Sequence, residues 1–68
     1  MTAMIIICNG EPREVAGRGL SEILRELGYV DAAIATAVNG EFVPARRRDA
    51  ITLNAGDALE VLAPRQGG

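Results

Sequence analysis

The sequence predicts an α+β fold in which a mixed sheet of about four to five strands packs on one main helix. Two Asn-Gly pairs each join two segments with the pattern of strands, which is a strong signal for tight β-hairpins. Between them, residues 20–27 have the apolar spacing of a helix. Residues 58–63 form a final segment with strand-like alternation. The predicted order of elements is therefore ββαβββ.

The first hairpin is expected at Asn9-Gly10, between "MIIIC" and "EPREV". Asparagine and glycine both tolerate the positive φ angles that a two-residue hairpin turn requires. Pro12 follows the turn and suits an edge strand, because proline has no N–H to donate to a neighbouring strand.

The helix is predicted from four apolar residues at positions i, i+3, i+4 and i+7: Leu20, Ile23, Leu24 and Leu27. Gly19 stands at the expected N-cap, and Gly28 stands where a left-handed C-terminal cap is common.

The second hairpin is expected at Asn39-Gly40, with residues 34–38 as one strand and a return strand that ends at Pro44. The polar segment "ARRRD" and a short strand or turn at "AITL" follow, and a turn at Gly56 leads into the last strand. This order, in a chain of this size, indicates a β-grasp roll.

Composition excludes several classes of function. The 68 residues suffice for one domain, and they include one cysteine and no histidine. An internal disulfide, a Cys/His metal site and histidine-based catalysis are thereby excluded, so we expect a protein that is not itself an enzyme. A net charge of −2 offers no general attraction for nucleic acid, and "MIIIC" is too short to span a bilayer. We expect a soluble cytoplasmic protein with neither nucleic acid nor membrane as a partner.

An apolar patch is expected on the sheet face that the helix leaves uncovered. Side chains alternate along a strand, so Ile5 and Ile7 point away from the face that carries Ile6. If the first and last strands are neighbours, Leu62 joins them, and we predict a partner-docking patch of Ile5, Ile7, Leu62 and Phe42. Scattered surface aliphatic residues are the alternative interpretation.

The C-terminal segment is the principal candidate for chemistry. We predict a β-grasp domain over residues 1–63 and a flexible Gly-Gly tail over residues 64–68. Activation with ATP would turn the carboxylate of Gly68 into a mixed anhydride that a nucleophile can attack, and Gly67 would fit a narrow channel. Arg65 and Gln66 offer hydrogen bonds to such a channel. A flexible terminus without a role explains the composition equally well.

Other polar and reactive side chains are given structural roles. Cys8 is expected inward as a small hydrophobe, and the arginines at 46–48 are expected in a solvated loop. Asp57 is expected to cap a local turn, and Glu22 and Glu26 to lie on a helix surface without forming a paired-carboxylate site.

The stretch "AVNGEFVP", followed by "NAGDALEVLAPRQGG", resembles the ThiS-type sulfur carrier proteins of the ubiquitin-like ThiS/MoaD superfamily. The first half agrees with its "NG" turn and "LSEILREL", so the resemblance covers nearly the whole chain.

The resemblance implies that Gly68 is adenylated with ATP by a ThiF-like, E1-like adenylyltransferase. It implies conversion of Gly68 to a thiocarboxylate with sulfur from a cysteine desulfurase system, and donation to a ThiG-like thiazole synthase in thiamin biosynthesis. No cofactor is bound by the carrier in such a scheme, since ATP and the sulfur donor act through the partner enzyme.

Ala45, Arg48, Gly19 and Gln66 depart from the family pattern. They leave open a carrier for molybdopterin synthase or another metabolite pathway. Arg65, close to the terminal Gly-Gly, leaves open a ubiquitin-like modifier, and an interaction module that docks through the sheet is the remaining alternative.

Overall fold

The computed structural model describes residues 3–29 and 33–63, in which a five-stranded mixed sheet packs on one α-helix. The elements in chain order are β1 (Met4–Cys8), β2 (Glu11–Val15), α1 (Leu20–Glu26), β3 (Ala35–Val38), β4 (Glu41–Val43), a 3₁₀ helix (Ala45–Ala50) and β5 (Ala58–Leu62). The predicted ββαβββ order is confirmed. Within "AITL", Thr52 makes only an isolated bridge to Gly19, and the predicted tail at 64–68 lies outside the described residues.

The last strand lies at the centre of the sheet, whose spatial order is β2-β1-β5-β3-β4. β5 runs parallel to β1, with Ile7 opposite Ala58, and antiparallel to β3, with Ala35 opposite Leu62. The strand that leads into the C-terminal segment is therefore paired on both sides.

Both Asn-Gly pairs form the predicted hairpin turns. Asn9 and Gly10 have φ angles of 52° and 84°, and Asn39 and Gly40 have φ angles of 52° and 86°. Positive φ at both central residues is the geometry that matches the twist of the two flanking strands.

The core lies between α1 and one face of the sheet. The helix contributes Leu20, Ile23 and Leu24, and the remaining buried apolar residues come from the strands and the loop before β5: Ile6, Cys8, Val15, Val43, Leu53, Leu59 and Val61. The predicted inward position of Cys8 is confirmed.

Both ends of the helix lie where Gly19 and Gly28 predicted them. Gly19 is the N-cap residue, and its N–H donates to Glu22 Oε1 at 3.3 Å. Gly28 follows the helix with a φ of 94°. Glu26 reaches back to the preceding loop and accepts hydrogen bonds from the backbone N–H groups of Ala16 (2.9 Å) and Gly17 (2.6 Å). Glu22 and Glu26 are both exposed on the helix surface, as predicted, and they accept hydrogen bonds from backbone N–H groups at the N-cap and in the loop before it.

The prediction of a solvated loop is wrong for Arg48, which is only 9% exposed, whereas Arg46 and Arg47 are exposed. The segment is a 3₁₀ helix with three residues per turn, so the side chain of Arg48 points in a different direction from those of Arg46 and Arg47. Arg48 Nε donates to Thr36 Oγ1 at 3.3 Å and Nη2 donates to the Ile34 carbonyl at 2.5 Å. The guanidinium group therefore ties the 3₁₀ helix to β3.

Candidate functional site

The structure defines the base of the predicted reactive segment. Arg65, Gln66, Gly67 and Gly68 lie outside the described residues, and Ala63 is the last residue described. Immediately before it, Leu59 and Val61 are buried against the core while Leu62 faces outward. β5 is therefore an anchored strand from which the segment after residue 63 continues.

Two asparagine side chains hold the backbone of β5. Asn39 Oδ1 accepts a hydrogen bond from the Ala58 N–H at 2.9 Å, and the Asn39 N–H donates to the Ala58 carbonyl at 2.8 Å. Asn9 binds the same strand three residues later, where its Oδ1 accepts from the Val61 N–H at 2.8 Å and its Nδ2 donates to the Val61 carbonyl at 3.3 Å. The turn that ends each hairpin strand therefore also fixes β5.

A groove of about 590 Å³ crosses the open face of the sheet beside the end of β5. Phe42 and Leu62, which are 68% and 74% exposed, stand along it. Ala35 and Ala37 line it as well, and Glu60 is the one charged side chain among its lining residues in the described chain. Partner-binding surfaces commonly combine exposed apolar groups at their centre with polar groups at the rim.

Ile5 and Ile7 do not adjoin this groove, although the prediction placed them in one apolar area with Leu62. The register sets Ile7 opposite Ala58, four residues before Leu62, which is a separation of roughly 13 Å along the strand. Ile7 is half-buried, and Ile5 (47% exposed) lines a second groove of about 650 Å³ that also includes Arg18. The prediction of a single apolar area is therefore wrong, because the parallel register separates Ile5 and Ile7 from Leu62.

The remaining candidate groups have structural environments. Burial raises the pKa of the Cys8 thiol, an effect that nearby Arg13 opposes and Glu11 reinforces. Asp57 Oδ2 accepts a hydrogen bond from the Asn54 N–H at 2.8 Å, which is the predicted local cap. No cluster of histidine, cysteine and carboxylate side chains that could hold a metal ion occurs within residues 3–29 and 33–63. In the part of the chain described here, no helix is long and apolar enough to cross a membrane.

Sequence reasoning missed the side-chain roles of Asn9 and Asn39, the loop contacts of Glu26 and the position of Glu60 in the groove. The asparagines carried a signal, because glycine or aspartate also suits the first turn position and only asparagine supplies both a donor and an acceptor. The position of Glu60 needs the strand register, which local patterns do not provide.

Comparison with known proteins agrees with this architecture. The model of the ThiS family matches residues 6–68. A protein from Thermus thermophilus, named sulfur carrier protein ThiS, is 38% identical over 60 residues, which cover 88% of this chain and 94% of that protein.

Solved structures agree as well. The crystal structure of the thiamine biosynthesis protein ThiS from Geobacter metallireducens has a TM-score of 0.80 at 33% identity, covering 96% of this chain and all of that one. The solution structure of a thiamine biosynthesis protein from the same organism has a TM-score of 0.79 at 33% identity, covering 96% of this chain and 88% of that one. With a central last strand and a family match that spans nearly its entire length, the chain belongs to the ThiS family.

Proposed function

We propose that this chain is a sulfur carrier of thiamin biosynthesis, and that the carboxylate of Gly68 carries the sulfur as a thiocarboxylate. The observation that supports the proposal most is that the family match runs through residue 68, the position at which this chemistry is expected. The relative named sulfur carrier protein ThiS, which aligns over most of both chains, points to the same role.

The chemistry needs only the carboxylate from the carrier. A carboxylate is a poor acyl donor, and attack on the α-phosphate of ATP converts it into an acyl-adenylate with release of pyrophosphate. A sulfide nucleophile then forms a C–S bond to the carbonyl carbon as the C–O bond to AMP breaks. The product is the thiocarboxylate, and the carrier is a co-substrate rather than the catalyst.

Three partner activities complete the proposal. An E1-like adenylyltransferase of the ThiF type supplies ATP and the cleft that excludes water, and a cysteine desulfurase system supplies the sulfur. A thiazole synthase of the ThiG type accepts the sulfur. ATP is thus used through the partner, and the carrier holds no cofactor of its own.

The groove beside the end of β5 is the surface we assign to partner docking. Phe42 and Leu62 offer exposed apolar area, and Glu60 favours a partner that presents a basic group there. Residues 63–68 extend about 20 Å when fully stretched, so a partner seated on this groove has Gly68 within reach. Ile5 lies on the same open face but at the opposite end of the sheet, so we place it outside this contact.

Intact-mass spectrometry tests the proposal. Incubation with ATP, sulfide and a ThiF-type adenylyltransferase is expected to add roughly 16 Da, because sulfur replaces one carboxylate oxygen. A chain that lacks Gly68 is the control, and it is expected to fold as before and to gain no mass. Absence of the gain with an enzyme that activates its own carrier would reject the proposal.

The same reaction separates the sulfur carrier from the ubiquitin-like modifier. A modifier forms an isopeptide bond with a lysine of a target protein, so a larger band that resists thiols would indicate that activity. A plain interaction module would bind its partner equally well without residues 67 and 68.

A further inference from the structure

β1 and β5 pair in parallel through main-chain hydrogen bonds up to the point where β1 enters its hairpin turn. The Ile7 N–H donates to the Asp57 carbonyl at 2.9 Å, and the Asn9 N–H donates to the Leu59 carbonyl at 2.9 Å. The next β5 residue that faces β1 is Val61. At that level the chain after Asn9 has entered the hairpin turn and no longer runs beside β5.

The side-chain amide of Asn9 takes the place of the missing peptide group. Its Oδ1 accepts from the Val61 N–H and its Nδ2 donates to the Val61 carbonyl, so both backbone groups of Val61 are satisfied. A primary amide offers the same donor and acceptor as a peptide unit. Asn9 therefore extends the β1–β5 pairing by one step across 52 residues of sequence.

We propose that Asn9 is a positioning residue that sets the point and direction at which the chain leaves the sheet at Ala63. Without its amide, the last anchor on the β1 side is Leu59, which is two residues or roughly 7 Å of extended chain earlier. On the other side β3 still holds Leu62 opposite Ala35, so the strand stays in the sheet while its end is held on one side only. Delivery of Gly68 depends on this anchor, a step that rests on the proposed function.

Asn39 provides a matched control. It has the same φ of 52° in the same kind of turn, and it holds β5 through Ala58, at the opposite end of the strand from Leu62. The variants Asn9→Gly and Asn39→Gly each remove one amide and keep a residue that adopts positive φ freely.

The first measurement uses the isolated protein and does not depend on any partner. In Asn9→Gly we expect the Val61 amide to exchange with solvent at least about tenfold faster, and NMR order parameters to fall at Leu62 and Ala63. The Ala58 amide is expected to keep its protection in this variant and to lose it in Asn39→Gly. Unchanged order at Leu62 and Ala63 in Asn9→Gly would overturn the proposal.

The second measurement follows adenylation by the ThiF-type enzyme through pyrophosphate release. We expect kcat to fall about tenfold in Asn9→Gly and less than twofold in Asn39→Gly, because misplacing a reacting group slows the step it takes part in. Asn9 also lines the groove assigned to docking, so affinity for the enzyme is measured separately with chains that lack residues 67 and 68, and the fall in kcat is expected to exceed any change in affinity. The conservative variant Asn9→Asp, which keeps the acceptor and loses the donor, is expected to recover part of the rate.

The outcomes are distinct. Equal losses of kcat in the two glycine variants would show a general structural effect and overturn the proposal, as would a loss confined to affinity. A wild-type chain that is never adenylated would reject the proposed function, while the exchange and order-parameter results would still decide whether Asn9 sets the course of the chain after Leu62.

Discussion

The two faces of β5 are built from alternate residues of one short strand and have opposite roles. Leu59 and Val61 point toward α1 and are buried in the core. Glu60 and Leu62 point to the open face and line the groove. Stability and, in our proposal, partner recognition therefore depend on adjacent residues of one strand, so single substitutions are expected to affect one without the other.

The largest effect is expected from Leu59→Ala on the buried face. Leu59 is fully buried, so its truncation leaves a cavity and is expected to lower the free energy of unfolding by about 2–5 kcal/mol. Urea unfolding measures this, with Leu62→Ala on the same strand as the control at less than about 0.5 kcal/mol. Equal losses in the two variants would remove the distinction between the faces.

A smaller loss of stability is expected from Arg48→Met, which removes hydrogen bonds to the Ile34 carbonyl and Thr36 Oγ1. The buried Thr36 hydroxyl and the half-buried Ile34 carbonyl would each lose a donor, at a cost of about 1–3 kcal/mol, and urea unfolding again provides the measurement. Arg47→Met is the matched control because Arg47 is exposed in the same 3₁₀ helix. If both arginines prove neutral, the guanidinium of Arg48 does not hold the 3₁₀ helix to β3.

On the open face, Leu62→Asp is expected to change recognition and leave the fold intact. Thermal unfolding should shift little, while the KM for adenylation by the ThiF-type enzyme should rise on the order of tenfold because a charge replaces an exposed apolar contact. Ile5→Asp is the comparison, since Ile5 is also exposed but lines the other groove. A larger rise for Ile5→Asp would move the docking surface to that end of the sheet.

The smallest effect is expected from the titration of Cys8. Because burial raises the pKa of this thiol above its ordinary value of 9.0, the folded chain keeps the proton at pH values where the unfolded chain loses it. The stabilisation is therefore fully present below pH 9.0 and decreases as pH rises above it. Unfolding of the wild type and Cys8→Ala between pH 7 and pH 10 measures the difference, and parallel curves would contradict the assignment.

Local patterns in the sequence sufficed for the elements and for the two turns. The Asn-Gly pairs and the apolar spacing of residues 20–27 depend on backbone preferences and periodicity, which act over a few residues. The separation of Ile5 and Leu62 into two grooves depends instead on the parallel register of β1 and β5, which are about 50 residues apart in the sequence. The inward position of Arg48 depends on acceptors in β3 and immediately before it. No local pattern in the sequence encodes the strand register or the position of these acceptors.

The proposed thiocarboxylate at Gly68 is tested by locating the added mass after activation. Fragmentation of the intact protein, following reaction with ATP, sulfide and the ThiF-type enzyme, is expected to place a gain of roughly 16 Da on the fragment that contains Gly68. A gain located on another residue, such as Cys8, or an unchanged C-terminal fragment of this chain after reaction with a fully active enzyme, would exclude Gly68 as the residue that carries the sulfur.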